Sequence, residues 1–239
     1  MPYTATFERW EKKYRLTGAQ ADALLPLLAR HMKADCYGET TVCSLYLDTP
    51  DNLLIRRSLE KPYYKEKMRL RSYGVPQNED PVFWEIKKKA GGIVYKRRAA
   101  LTAQEAMDCL LDGKKPAPRG QILREIGVML DHYGLRPAMM LCCERTAYAE
   151  SSPTPDALRI TLDRGIRWRD SSLDLRLGDG GAPLLGPGER LMELKTARSL
   201  PLWLCGALSE IRAYPTSFSK YGQAYAARLA AGSLARQAG

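Results

Sequence analysis

No stretch of this 239-residue sequence approaches the roughly 20 consecutive apolar residues that a membrane-spanning helix needs. Met1 to Tyr14 carries charges where a secretion signal would need an apolar segment, so a cytoplasmic location is expected. The six cysteines (Cys36, Cys43, Cys109, Cys142, Cys143 and Cys205) include no CxxC pair. In a reducing compartment they read as small buried apolar residues, which argues against a disulfide framework and a zinc site. Only two histidines occur, His31 and His132, both on expected helices, and they read as packing or surface residues. There is no internal repeat, and no low-complexity segment before the Ala-, Gly- and Arg-containing tail from Gly232.

What is abundant is positive charge. The 37 Lys and Arg outnumber 27 Asp and Glu, a formal net charge of +10, which favours an anionic partner without saying which. Nucleic acid, a membrane surface and phosphate-rich small molecules all satisfy that balance. The hydrophobic fraction of 45% and charged fraction of 27% are ordinary for a globular chain, and the length suffices for a buried core.

The charge is patterned. In Tyr64–Tyr73, read as a strand, Lys67, Arg69 and Arg71 alternate with Met68, Leu70 and Ser72, placing three cations on one face. Such a row repels itself unless carboxylates, solvent or a polyanion lie opposite. The pattern recurs. Arg9, Glu11 and Lys13 share a face of a first strand, Phe7 to Leu16; Glu85 and Lys87 do so in Val82–Lys88; Lys96 and Arg98 in Ile93–Ala99. Arg145 lies in a strand from Ala138 to Glu150, Arg159 and Asp163 in Leu158–Arg169, and Glu193 and Lys195 in Leu191–Thr196. Thr41–Asp48 completes about eight strands, closed by the turn Thr49-Pro50-Asp51-Asn52, while 53–61 reads as either a short helix or a strand.

Helices are expected from Gly18 to His31 after Thr17, from the capping box Thr102…Glu105 to about Leu111, and over Gln121–Tyr133 before Gly134. Others are expected over Pro201–Tyr214 and from about 223 to Ala231, after a loop at Thr216–Gly222. Short turns such as Gly91-Gly92 imply antiparallel pairing. The fold class is therefore α+β: an eight-stranded antiparallel β-barrel tunnel with a charged interior and helices packed outside. Residues 1–231 are expected to form one domain, with 232–239 a frayed tail. A lining of Arg and Lys suits several phosphates at once, and carboxylates in it suit Mg²⁺ or Mn²⁺ held against them.

The set Lys67-Met-Arg69-Leu-Arg71, Glu85-Ile-Lys87, Glu144-Arg145-Thr-Ala-Tyr148, Arg159-Ile-Thr-Leu-Asp163, Leu191-Met-Glu193-Leu-Lys195 and Ser217-Phe-Ser-Lys220-Tyr221 resembles the VTC (vacuolar transporter chaperone) polyphosphate polymerase domain. That domain belongs to the triphosphate tunnel metalloenzymes, and the likeness runs from about Phe7 to Tyr225. It implies transfer of the γ-phosphoryl of ATP, or of another nucleoside triphosphate, onto inorganic polyphosphate, with Mn²⁺ or Mg²⁺. By the same resemblance Arg69 and Arg71 clamp the triphosphate, Lys87 and Lys96 bind phosphate, and Arg145 and Arg159 are further tunnel arginines. Glu193 is the metal ligand, with Glu11 a second candidate. Lys220 belongs to the Phe-Ser-Lys motif at the tunnel mouth. Arg9, Lys13, Lys67, Arg98 and Lys195 complete the expected phosphate lining.

Where hydrolytic tunnel enzymes have Glu-x-Glu-x-Lys, this chain has Arg9-x-Glu11-x-Lys13, which weakens the case for a second metal and for hydrolysis. A triphosphate or tripolyphosphate hydrolase and a non-catalytic polyphosphate-binding module remain the alternatives. Nucleic acid is not expected as a partner, because the cations lie on inward strand faces and not along one open groove. A membrane-bound partner is compatible with the sequence. Glu85 is balanced between pairing with a tunnel lysine and binding metal, and Asp163 leans towards pairing with a neighbouring arginine.

Overall fold

The computed structural model describes residues 10–91, 93–114, 120–150, 157–197 and 199–237. Its strands are β1 (Trp10–Leu16), β2 (Lys33–Asp48), β3 (Tyr64–Tyr73), β4 (Pro81–Ala90), β5 (Ile93–Thr102), β6 (Arg136–Ala149), β7 (Arg159–Arg169), β8 (Ala182–Pro183) and β9 (Arg190–Thr196). The helices are α1 (Gly18–His31), α2 (Leu53–Leu59), α3 (Ala103–Leu111), α4 (Gln121–Tyr133), α5 (Leu202–Glu210) and α6 (Lys220–Gln237). Eight strands follow the hydrogen-bonded order β1-β9-β7-β6-β2-β3-β4-β5, and the two-residue β8 adds to β7. This is the α+β, eight-stranded antiparallel sheet expected of the tunnel fold.

The chain groups into two compact units, one of residues 1–40, 143–166 and 185–218 and one of 41–142, 167–184 and 219–239. In the first, Tyr14, Leu16, Ile160, Leu162, Met192 and Leu194 project from β1, β7 and β9 onto Leu24 and Leu28 of α1 and Leu204 and Leu208 of α5. In the second, Met68, Leu70, Trp84 and Ile86 meet Met107 of α3 and Leu123 and Ile126 of α4. Each fully buried side chain of this size contributes on the order of 2 kcal/mol. Helices thus cover the apolar faces, and the charged residues lie on the opposite faces. The alternation of β3 shows why: 66, 68, 70 and 72 are buried, and 65, 67, 69 and 71 are half-buried.

Both helix starts expected from caps are present. Thr17 and Gln20 form a capping box on α1, as Thr102 and Glu105 do on α3. Gly134 ends α4 at φ 59°, in the left-handed region that favours glycine. The ambiguous segment 53–61 is a helix, because Asp48 and Thr49 supply its missing acceptors. Asp48 Oδ1 accepts from Leu54 N at 2.8 Å, Oδ2 from Ile55 N at 3.0 Å, and Thr49 Oγ1 from Leu53 N at 2.8 Å. The Tyr221 hydroxyl of α6 donates to Asp48 Oδ2 at 2.8 Å, so one buried carboxylate ties two helices to the end of β2.

Three elements differ most from the sequence reading. β2 begins at Lys33, eight residues before the alternation, because 33–40 is polar and mostly exposed on both faces. α5 stops at Glu210, where Arg212 turns left-handed at φ 51° and Ala213 N donates back to Leu208 O. α6 starts at Lys220, inside the expected loop, and runs to Gln237, past the expected end at Ala231. Cys36 and Cys205 are exposed, unlike the buried cysteines expected throughout, while Cys43, Cys142 and Cys143 are buried. His31 stacks on Trp203 at 4.4 Å and His132 packs edge-on to Tyr133, as packing residues do.

Asp48→Ala should lower unfolding free energy by about 3 kcal/mol, since it orphans two helix N–H groups and a buried hydroxyl. Tyr221→Phe should cost about 1 kcal/mol, and the double variant less than the sum in urea denaturation.

Candidate phosphate-binding faces

In the second unit, register gathers the cations. Lys67 lies opposite Lys87, and Lys87 opposite Lys96; Arg69 lies opposite Glu85, and Glu85 opposite Arg98. Glu85 therefore sits between two arginines. Arg69 Nε donates to its Oε2 at 2.8 Å, and Arg98 Nε to its Oε1 at 2.9 Å. Burial alone would raise the Glu85 carboxyl, but Arg69 and Arg71 hold it down at about 2. The structure thus makes Glu85 a partner of cations, the pairing side of the sequence reading, although with Arg69 and Arg98 in place of a lysine.

Arg69 also donates from Nη1 to the Tyr46 hydroxyl at 3.0 Å, and Arg71 from Nε to Ser44 Oγ at 3.2 Å. Both guanidinium groups are held before any ligand arrives, so little side-chain freedom is left to lose on binding. Burial opposes ionisation of Tyr46, but Arg69, Arg71 and Lys67 outweigh it and bring the phenol down to about 8. Tyr46 in turn stacks on Tyr221 with centroids 4.6 Å apart. Lys67 Nζ donates to Ser219 Oγ at 3.1 Å, and Ser219 Oγ also accepts from Gly222 N, capping α6. Lys220 is therefore the first residue of a helix whose N-terminal dipole favours anions, and it stands next to the partner of Lys67.

In the first unit, Lys13 lies opposite Glu193, Glu11 opposite Lys195, Arg159 opposite Lys195 and Thr161 opposite Glu193. Lys13 Nζ is 3.6 Å from Glu11 and 3.8 Å from Glu193, and Lys195 Nζ is 3.7 Å from Glu193. Lys13 also donates to the Phe218 carbonyl at 3.0 Å. Arg145 grips the buried Asp163 through two parallel bonds of 2.6 and 2.7 Å, which settles Asp163 as an ion-pair partner. The Thr161 hydroxyl is buried on the same face and has no hydrogen-bond partner among the described residues.

The described residues contain no group of three or more His, Cys, Asp and Glu that would cage a metal. The pair Glu11 and Glu193 offers hard oxygen donors on neighbouring strands. Such a set fits Mg²⁺ or Mn²⁺ shared with substrate phosphates, and does not fit a soft-metal site.

Of the sequence candidates, Lys67, Arg69, Arg71, Lys87, Lys96, Arg98 and Lys220 occur in the second unit, and Glu11, Lys13, Arg145, Arg159, Glu193 and Lys195 in the first. Arg9 lies outside the described residues. Sequence reasoning missed Ser44, Tyr46, Thr161 and Ser219. The alternation of β2 already put Ser44 and Tyr46 on one face, but neither carries charge.

The VTC domain family matches residues 8–229. A candidate adenylate cyclase from Bacillus halodurans superposes with a TM-score of 0.53 at 13% identity, over 87% of this chain and 92% of that one. A candidate adenylyl cyclase from Hippeastrum, with a dominant triphosphatase activity, superposes with a TM-score of 0.50 at 14% identity, over 88% and 92%. At such identities the likeness establishes the fold. No curated protein matches the chain in sequence.

Glu85 titrates near 2 when folded, against an ordinary 4.5, so the folded state binds its proton less readily. Its contribution to stability is full above about pH 4.5 and is lost as pH falls towards 2. Allowing for screening at half-exposed Arg98, it is worth about 2 kcal/mol. Glu85→Gln should remove that loss from a series of urea denaturations across this pH window.

Proposed function

Because this chain belongs to the VTC domain family, we propose that it is a polyphosphate polymerase. It transfers the γ-phosphoryl group of ATP to a growing inorganic polyphosphate chain and releases ADP. The observation that carries this reading is the length of the cationic row. Arg71, Arg69 and Lys67 cover about 13 Å of strand, and the row continues through the Lys67–Ser219 bond to Lys220. A row that continues past the arginine pair offers places to phosphates beyond the three of ATP.

The roles of the residues follow from their chemistry. Arg69 and Arg71 grip the triphosphate as preset forks, and Lys67, Lys87 and Lys96 supply point charges beside them. Arg98 reaches the same ligand less directly, being tied to Glu85. Arg145, Arg159, Lys13 and Lys195 contribute charge beside Glu193, with Arg145 oriented by Asp163. Phosphoryl transfer has a loose transition state, so cations placed at the equatorial oxygens perform much of the catalysis. The acceptor is an ionised phosphate oxygen, and no general base is required of the protein. Glu193 and Glu11 would hold Mn²⁺ or Mg²⁺, which neutralises phosphate charge when bound. The Thr161 hydroxyl is free to donate to a ligand oxygen on the Glu193 face.

The second reading is hydrolysis of a triphosphate or tripolyphosphate, favoured by the two carboxylates Glu11 and Glu193 that flank Lys13. Purified protein with ATP and Mn²⁺, its products resolved on a gel, separates the two. Long anionic polymer with ADP supports the polymerase. Phosphate or tripolyphosphate without polymer overturns it in favour of the hydrolase, and bound but unconsumed ATP leaves only a binding module. Glu193→Gln should cut turnover about 100-fold while ATP still binds. Thr161→Val should lower kcat/KM about tenfold without lowering the melting temperature, since it deletes a buried hydroxyl that has no partner among the described residues. Thr161→Ser should restore the rate.

A further inference from the structure

The hairpin of β4 and β5 ends in a patch that the phosphate-binding faces do not use. Five exposed large hydrophobic side chains gather there: Tyr63, Tyr64, Ile93, Val94 and Tyr95, with Tyr63 81% and Tyr95 53% exposed. They are neighbours by register, for Ala90 lies between Tyr64 and Ile93, and Lys89 between Lys65 and Val94. Gly91 turns the chain at φ 53°, and the Tyr63 hydroxyl stands 2.7 Å from where a Cβ on Gly91 would be, so the ring closes over the turn. β5 is the last strand in the sheet order and is exposed from 93 to 98. Contiguous exposed apolar surface of this kind marks an interaction site.

The patch has a basic collar. Lys87, Lys88 and Lys89 lead into the turn, Lys96, Arg97 and Arg98 lead out, and no acidic residue occurs between Glu85 and Glu105. Arg98 is tied to Glu85 and Arg97 to Glu125 at 3.0 Å. Lys61 and Lys65 stand alongside. Burial and the charges of Lys89, Lys87 and Lys61 pull the Lys65 ammonium below its ordinary pKa, the signature of crowded cations. The acids nearest in sequence are exposed Glu60 and buried Glu66, whose carboxylate is bonded to the hydroxyls of Tyr64 and Tyr133.

We propose that this hairpin tip docks on an anionic lipid bilayer, with Ile93, Val94 and Tyr95 entering the interface and Lys61, Lys88 and Lys89 meeting lipid phosphates. Tyrosines suit the headgroup level, apolar area drives insertion, and each nearby cation adds attraction to an anionic leaflet. A second copy pairing along the β5 edge would bring two rows of like charge together, which the charge pattern disfavours. A soluble polyanion would satisfy the lysines but leave Ile93 and Val94 in water. The inference does not depend on the catalytic reading.

The test is flotation of the full chain with vesicles of phosphatidylcholine alone or mixed with phosphatidylglycerol. The protein should float with the anionic vesicles only, and Ile93→Ser/Val94→Ser/Tyr95→Ser should weaken this about tenfold at unchanged melting temperature and ATP binding. No flotation, or equal flotation of both proteins, overturns the proposal; the second result would mean that charge alone holds the vesicle. A concentration-dependent dimer, lost in the variant and formed without vesicle binding, would assign the patch to a second copy instead.

Discussion

The sheet of the second unit depends on one carboxylate. Strands β3, β4 and β5 bring Lys67, Lys87, Lys96, Arg69, Arg71 and Arg98 to a single face, and like charges at such spacing oppose folding. Glu85 sits in the middle row and bonds Arg69 on one side and Arg98 on the other. Its position cuts the charge of that row from two to one, while the row beside it is Lys67, Lys87 and Lys96. The result is a face on which cations outnumber carboxylates while the most crowded arginines keep a partner, the charge balance that the proposed phosphate binding would use.

The polar faces are supported from behind. Trp84, Met68 and Leu70 alternate with Glu85, Arg69 and Arg71, so packing against α3 and α4 fixes the backbone from which the charged side chains project. Asp48 extends the same support to the end of the sheet. It caps α2 and receives Tyr221, which stacks on Tyr46, which receives Arg69. A chain of contacts therefore leads from two helix ends to the guanidinium group that would hold a triphosphate. Position here is set by buried hydrogen bonds and not by the ligand.

Much of this was legible in the sequence. The period-two alternation of 64–73 gave β3 its bounds and its charged face, and the cap Thr17 and the capping box at Thr102 marked the starts of α1 and α3. Residues 33–40 were not legible as strand, because a segment polar on both faces has no period. Nor was the partner of Glu85, since the opposing residue depends on register, which alternation leaves free by two residues at a time. Tyr46 and Thr161 were missed for another reason. Neither carries a charge to single it out on its strand face, and only burial without a partner, or a guanidinium within 3.0 Å, distinguishes them.

The two units divide the chemistry unevenly. On the charged face of its β3, β4 and β5 the second has eight cations, Lys65 and Lys89 included, to the one carboxylate Glu85, a composition suited to holding a polyanion. The first interleaves Glu11, Lys13, Glu193 and Lys195 across β1 and β9, so Lys13 and Lys195 each have a carboxylate within 4 Å. A phosphate arriving alone at those four side chains would meet two positive and two negative charges. A phosphate arriving with a divalent cation would displace Lys13 from the carboxylates and release its ammonium to the phosphate oxygens. On the proposed reading the two roles are coupled, since a divalent cation on Glu11 and Glu193 would compete with Lys13 for the same carboxylates.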